Sequence, residues 1–138
     1  MSYEMIDYLV KREQISSGGG FITGIPIEDY LDKIKEKAEI ISHFREGECV
    51  GFVAFYCNDP MKKNAFITLV LVAPEFRGRG ISQALINYAL DVCKVRKFEI
   101  CSLEVVGENI PAVKAYEKIG FIKAGQNKGK IMMKIALN

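Results

Sequence analysis

Tryptophan is absent from the 138 residues, histidine occurs once, and neither sign of charge prevails: nineteen Lys and Arg stand against seventeen Asp and Glu. The resulting net charge of +2 is too weak a field to draw nucleic acid unaided. No broad basic face interleaved with aromatics is visible either, so no nucleic-acid partner is expected. Long hydrophobic runs are also missing. The longest, residues 65–73, is interrupted only by Thr68 and falls far short of the ~20 residues that a membrane-crossing helix needs. The opening Met1-Ser2-Tyr3-Glu4-Met5 lacks the basic and apolar regions of a secretory signal, so the expectation is a cytoplasmic protein with no membrane partner. Cys49, Cys57, Cys93 and Cys101 show no CxxC spacing, and each lies in an apolar stretch, where a free thiol behaves as a small hydrophobe. With His43 as the one histidine, ligands for zinc are too few and too scattered, and no metal is expected.

What is present is the make-up of an ordinary globular protein, 49% hydrophobic and 26% charged. A chain of this length buries roughly two thirds of its unfolded surface around one core, so residues 1–138 are expected to form a single domain. Met5, Ile6, Leu9 and Val10 recur at helical spacing before Ser16-Ser17-Gly18-Gly19-Gly20 breaks the pattern. After Pro26, residues Ile27, Tyr30, Leu31, Ile34 and Ala38 mark a second amphipathic helix. Glu28 and Asp29 lie at its positive end, and Lys33, Lys35, Glu36 and Lys37 on its polar face. Strand-like runs at 40–45, 49–57 and 65–73 are separated by Glu46-Gly47 and Asn58-Asp59-Pro60 and read as an antiparallel meander. A helix over 80–95 places Ile81, Ala84, Leu85, Tyr88, Ala89, Val92 and Cys93 on one stripe. The strand at 98–106 follows it, so it should lie parallel to 65–73 through a right-handed crossover. Asn109 can cap a further helix running to Ile119, with Ala112, Val113, Tyr116 and Ile119 inward and Gly120 ending it. A hairpin of 121–126 and 130–137 about Asn127-Lys128-Gly129 closes the chain. Its exposed strand offers an edge for a homodimer. The fold class is thus α/β (α+β), a mixed, mostly antiparallel sheet flanked by helices.

Two motifs carry chemistry. Val70 to Ser82 joins a buried strand to a helix through Arg77-Gly78-Arg79-Gly80. Glycines let the backbone curl about an anion, the first helical N–H groups lack intrahelical partners, and the arginines add positive charge. The second is Asn109-x-x-Ala112-x-x-x-Tyr116-x-x-x-Gly120-Phe121, placed just beyond the carboxyl end of the parallel partner strand, where ligands of open α/β sheets bind. Gly18-Gly19-Gly20 lacks the Gly-Lys-Ser/Thr ending of a nucleotide-binding P-loop.

In order and spacing these motifs, strongest over residues 65–121, resemble the GNAT superfamily of N-acetyltransferases. The resemblance implies a central parallel strand pair that splays apart, with acetyl-CoA as co-substrate. Its pyrophosphate would lie on the turn of Arg77, Gly78, Arg79, Gly80, Ile81 and Ser82, where Ser82 stands in place of the usual Gly or Ala. The pantetheine arm would pair with backbone groups of Leu71, Val72 and Ala73, and an N–H freed by a bulge near Leu71 would hold the oxyanion. Tyr116 matches the position whose hydroxyl protonates the departing thiolate. Asn109 would contact CoA besides capping its helix, and Lys114 would meet either the nucleotide end or solvent. The connection 16–26 would border the acceptor, which is a small-molecule or peptide amine. Many relatives begin with a strand, whereas this chain starts almost directly with a helix. For the general base, the 65–73 strand offers no carboxylate. Glu104 on the partner strand is the leading candidate, with a buried structural role as its alternative, and His43 acting through water is the second. No cysteine has a basic context, so direct transfer in a ternary complex is expected. A catalytically silent CoA-binding sensor of the same fold is the competing reading.

Overall fold

The structure, a computed structural model, describes residues 3–137. Helices α1 (Glu4–Ser16) and α2 (Ile27–Lys37) precede the meander β1 (Glu39–Arg45), β2 (Glu48–Tyr56) and β3 (Asn64–Val72). A 3-10 turn (Pro74–Phe76) then leads into α3 (Ile81–Val95), β4 (Ile100–Val106), α4 (Ile110–Ile119), β5 (Ile122–Asn127) and β6 (Lys130–Ala136). The six strands form one sheet in the order β1-β2-β3-β4-β6-β5. Every pairing is antiparallel except β3 with β4, the pair joined by the α3 crossover. Among the described residues no strand precedes α1, and no helix is long and apolar enough to cross a membrane.

Local chemistry explains most of the boundaries. Gly80 caps α3 at φ 77°, a left-handed conformation that costs glycine little. At the other end of α3, Lys97 turns left-handed (φ 68°) and the Phe98 N–H returns to Cys93 O at 3.0 Å. That closure resembles a Schellman motif and delays β4 to Ile100, two residues past the expected start. Asn109 caps α4 by accepting from the Ala112 N–H at 3.3 Å, with Pro111 in the first turn, where its missing N–H is harmless. Lys128 and Gly129 both have positive φ (50° and 81°), as a two-residue primed turn requires.

The sheet separates two apolar clusters. On one face Leu85, Ile86, Ala89 and Cys93 of α3 and Val113 of α4 pack with Val53, Phe55, Ile67, Leu103 and Met133. On the other, Ile6, Leu9 and Val10 of α1 and Leu31 and Ile34 of α2 pack with Phe52, Ala54, Leu69 and Leu71. Two expected core positions are corrected. Tyr88 is 45% exposed while Ile86 and Leu90 are buried, so the stripe of α3 lies to one side of the predicted one. Met5 is also exposed, because α1 rests on the sheet through Ile6, Leu9 and Val10 alone. The strand β5, expected to be open, sits at the sheet edge with all six residues exposed.

Candidate active site

The site grows out of an irregularity in β3. Ala54 of β2 faces Leu69 and Phe55 faces Ile67, which leaves Thr68 as an extra residue, a β-bulge. The bulge was expected near Leu71 and lies three residues earlier. Its effect on side-chain direction is visible in the packing. Ala65 and Ile67 belong to the α3/α4 cluster, whereas Leu69, Leu71 and Ala73 belong to the α1/α2 cluster. An unbroken period of two would have kept all five on one face. Pairing with β4 stops at the same point. The parallel ladder runs from Asn64–Ile100 to Ile67–Leu103 and no further, although β3 continues to Val72 and β4 to Val106.

The gap between the diverging strands is a cavity of about 500 Å³. Tyr30 and Lys33 of α2 line it from one face of the sheet and Tyr116 of α4 from the other, together with Thr68, Val70 and Glu104. The cavity therefore connects the two faces. Residues 20–23 and Ile25, from the connection between α1 and α2, complete the wall of the cavity. That connection is tied down by Gln14, whose amide donates to Gly19 O (3.3 Å) and Ile22 O (3.0 Å) and accepts from the Ile22 N–H (2.7 Å). The bulge itself is held from α2, where the Tyr30 hydroxyl lies 3.1 Å from Thr68 Oγ1 and donates to the Thr68 carbonyl at 3.4 Å.

Tyr116 of α4 and Glu104 of β4 are brought to this one cavity. The Tyr116 ring packs edge-on against Phe121 with centroids 6.1 Å apart, and among the described residues its hydroxyl has no hydrogen-bond partner. Burial raises its pKa above the ordinary phenol value, so the group stays protonated at neutral pH and able to donate. Glu104 is exposed rather than buried, which removes the alternative of a buried structural acid. Among the described residues it has no ion-pair or hydrogen-bond partner. His43 is not brought to the site: it lies on the edge strand β1 opposite Gly51, two strands from β3.

Leu71, Val72 and Ala73 continue the free edge of β3 past the cavity, and the Ala73 N–H is spent on Val50 O at 2.8 Å. In the turn beyond, the Arg77 guanidinium is already engaged, donating from Nε to Val72 O (3.0 Å) and from a terminal nitrogen to Glu13 of α1 (2.7 Å). Arg12 and Glu75 make a second α1–turn ion pair at 3.1 Å. Among the described residues Arg79 has only the Phe76 ring, 5.1 Å below it. The first intrahelical bond of α3 runs from the Ala84 N–H to Gly80 O (3.1 Å), so the N–H groups of Ile81, Ser82 and Gln83 are left for an anion. Ser82 is exposed, as is Lys114 on α4. Asn109 performs the capping role described above.

All four cysteines are buried and free. Burial pushes the Cys57 thiol up to about 12, and hydrogen bonding with Cys101, together with burial, raises Cys93 as well. Neither offers a thiolate. Among the described residues no group of His, Cys, Asp or Glu is placed to hold a metal ion.

A strand pair opened by a bulge, followed by an amide-rich turn at a helix start, defines a split-sheet fold with a ligand cleft at its centre. The acetyltransferase (GNAT) family matches residues 9–121, most of the chain, and the protein belongs to that family. An uncharacterized N-acetyltransferase of Methanocaldococcus jannaschii is 41% identical over 91 residues, which is 63% of this chain. The chain spans only 40% of that relative's length. A crystal structure of a Pyrococcus horikoshii protein superposes with a TM-score of 0.80 at 22% identity, covering 100% of this chain and 94% of the other. A GNAT acetyltransferase from Elizabethkingia anophelis, crystallised with acetyl-CoA bound, gives 0.71 at 16% identity, covering 84% and 94%.

Proposed function

We propose that the chain is an acetyl-CoA-dependent N-acetyltransferase, one domain over residues 1–138, that transfers the acetyl group directly to a primary amine of a small molecule or protein in a ternary complex. The observation that carries this reading is the end of the β3–β4 ladder at Ile67 and Leu103, which frees a strand edge beside a cavity holding Tyr116 and Glu104. Acetyl-CoA, when bound, supplies the activated thioester. The edge of β3 from Thr68 through Leu71 and Val72 to Ala73 offers backbone groups to the pantetheine amides and to the developing oxyanion. Gly78 and Gly80 shape the turn, the amides of Ile81 and Ser82 receive the pyrophosphate, and Arg79 adds charge. Arg77, paired with Glu13 in the free protein, adds its charge to that of Arg79 once the pyrophosphate arrives. As the amine nitrogen bonds to the thioester carbon and the C–S bond breaks, Tyr116 gives its proton to the sulfur. Glu104, directly or through water, takes the proton the nitrogen sheds. The raised thiols of Cys57 and Cys93 argue against an acyl-enzyme.

Four buried thiols fit a reducing compartment, and we place the reaction in the cytoplasm. The exposed β5 edge offers a surface for a homodimer. Titration calorimetry with CoA, run beside a thiol-release screen over amino sugars, amino acids, polyamines, antibiotic amines and peptides, tests the function. Binding with release on at least one amine is expected. Binding with release on none would leave a silent CoA-binding module.

A further inference from the structure

The charged groups around the cavity are arranged in a way that donor binding does not use. Lys33 enters from α2 with its ammonium 5.9 Å from the centre of the Tyr56 ring. Lys130 opens β6 opposite Val106, while Glu104 lies opposite Met132. Positions two apart on a strand, and direct cross-strand partners, share a face. Lys130 is therefore a diagonal neighbour of Glu104 on the same side of the sheet, and both line the cavity with Lys33. Among the described residues neither lysine has a carboxylate partner, whereas Lys11, Arg12, Lys35 and Arg77 all do. Glu104 is the only carboxylate among the described lining residues. None of residues 71–82 lines the cavity, so the two lysines stand away from the turn assigned to the phosphates. The remaining wall mixes Thr23, Tyr30 and Thr68 with the apolar side chains of Phe21, Ile25 and Phe66.

We infer that the acceptor is an apolar α-amino acid, its ammonium drawn to Glu104, its carboxylate to Lys33 and Lys130, and its side chain to Phe21, Ile25 and Phe66. This rests on the acetyltransferase reading above. A cavity of about 500 Å³ lies within the range of small-molecule sites, about 300–1,000 Å³. A polyamine fits the charges badly, because its second ammonium would meet two lysines and like charges repel at short range.

Steady-state kinetics with L-phenylalanine, L-leucine and L-methionine, each against its carboxamide, and with spermidine as the cationic amine, test this. The amino acids should exceed their amides in kcat/KM by about tenfold or more, as a charge-assisted contact to carboxylate predicts. In Lys33→Gln/Lys130→Gln that ratio should fall toward one, and each single variant should lie between. Both side chains are exposed, so folding is not at stake. Amides or spermidine turned over as well as the amino acids, or no amino acid accepted while other amines are, would overturn the inference and leave the acetyltransferase reading intact. A comparable loss of CoA affinity in the double variant, read by calorimetry, would assign the lysines to the donor and equally overturn it. Failure of the unaltered protein to bind CoA, or to acetylate any amine in the screen, would sink both readings together.

Discussion

The two halves of β3 are chemically alike and structurally opposite. From Asn64 to Ile67 the strand pairs with β4, and Phe66 and Ile67 pair with β2 as well; from Leu69 to Val72 it is held by β2 alone. The first half sends Ala65 and Ile67 into the α3/α4 core, and the second sends Leu69 and Leu71 into the α1/α2 core. One inserted residue produces both differences, because a bulge bends the strand and shifts its side-chain parity. The paired half anchors the sheet, and the half-paired one presents backbone to a ligand. Stability and chemistry are thereby assigned to adjoining segments of one strand.

The sharpest way to break this division is to truncate the anchor. Ile67 is 4% exposed, and Ile67→Ala should cost about 2–5 kcal/mol in urea unfolding, as removal of a buried aliphatic side chain does. The same truncation at Val70, only partly buried beside the cavity, should cost clearly less. Equal losses would mean that the two halves do not differ in role.

Tyr116→Phe reads the other side of the comparison. It should lower kcat by about tenfold or more, equivalent to about 1.4 kcal/mol of barrier, while leaving CoA affinity in place and unfolding free energy within about 0.5 kcal/mol. Turnover at the wild-type rate would remove Tyr116 from the mechanism. The pH dependence has a definite sign. Burial raises the phenol above its ordinary value of 10.0, so the acid form is intact below that value and is lost only as pH climbs through the higher, folded-state pKa. An alkaline decline of wild-type kcat that reports Tyr116 should therefore have its midpoint above pH 10.

The order of elements and the parallel crossover were legible, because amphipathic spacing and turn residues mark them directly. The bulge was not. In residues 65–73 every side chain but Thr68 is apolar, and a strand buried on both faces carries no alternation for a parity shift to disturb. The polar interruption at Thr68 was its only trace. Tyr116 was found through its motif and Glu104 as the carboxylate of the partner strand, but Tyr30, Lys33 and Lys130 read as ordinary helix and strand positions. What makes them part of the site is the crossing of α2 over the open strand pair, a tertiary fact. His43 stood out by type alone, and its edge strand takes it away. Arg77 was identified correctly as part of the turn, yet its partner Glu13 lies 64 residues away, beyond any local pattern.

At the junction of the two halves, Thr68→Val keeps shape and removes the hydroxyl that meets Tyr30 at 3.1 Å. One neutral hydrogen bond is at stake, so the expected loss is about 1 kcal/mol. The cost should fall when Tyr30→Phe is already present. A double-mutant cycle with no coupling would mean that α2 does not hold the bulge.

The smallest effect is expected where α1 straps the turn. The Glu13–Arg77 pair is partly exposed (22% and 47%), and such pairs contribute about 0.2–1 kcal/mol. Glu13→Gln should therefore barely move stability. Its consequence for CoA decides between two uses of Arg77. If the arginine serves the pyrophosphate in competition with Glu13, removing the carboxylate frees a cation and takes away a nearby negative charge, so affinity should rise modestly and more at low salt. If the ion pair instead aligns the turn so that the Ile81 and Ser82 amides converge, affinity should fall. Arg77→Met separates the same cases from the other side, since it removes both the cation and the Val72 contact and should weaken CoA more than Glu13→Gln changes it. A rise in affinity with Glu13→Gln and a fall with Arg77→Met is the expected pair. A fall in both would make the strap, rather than the charge, the contribution of Arg77.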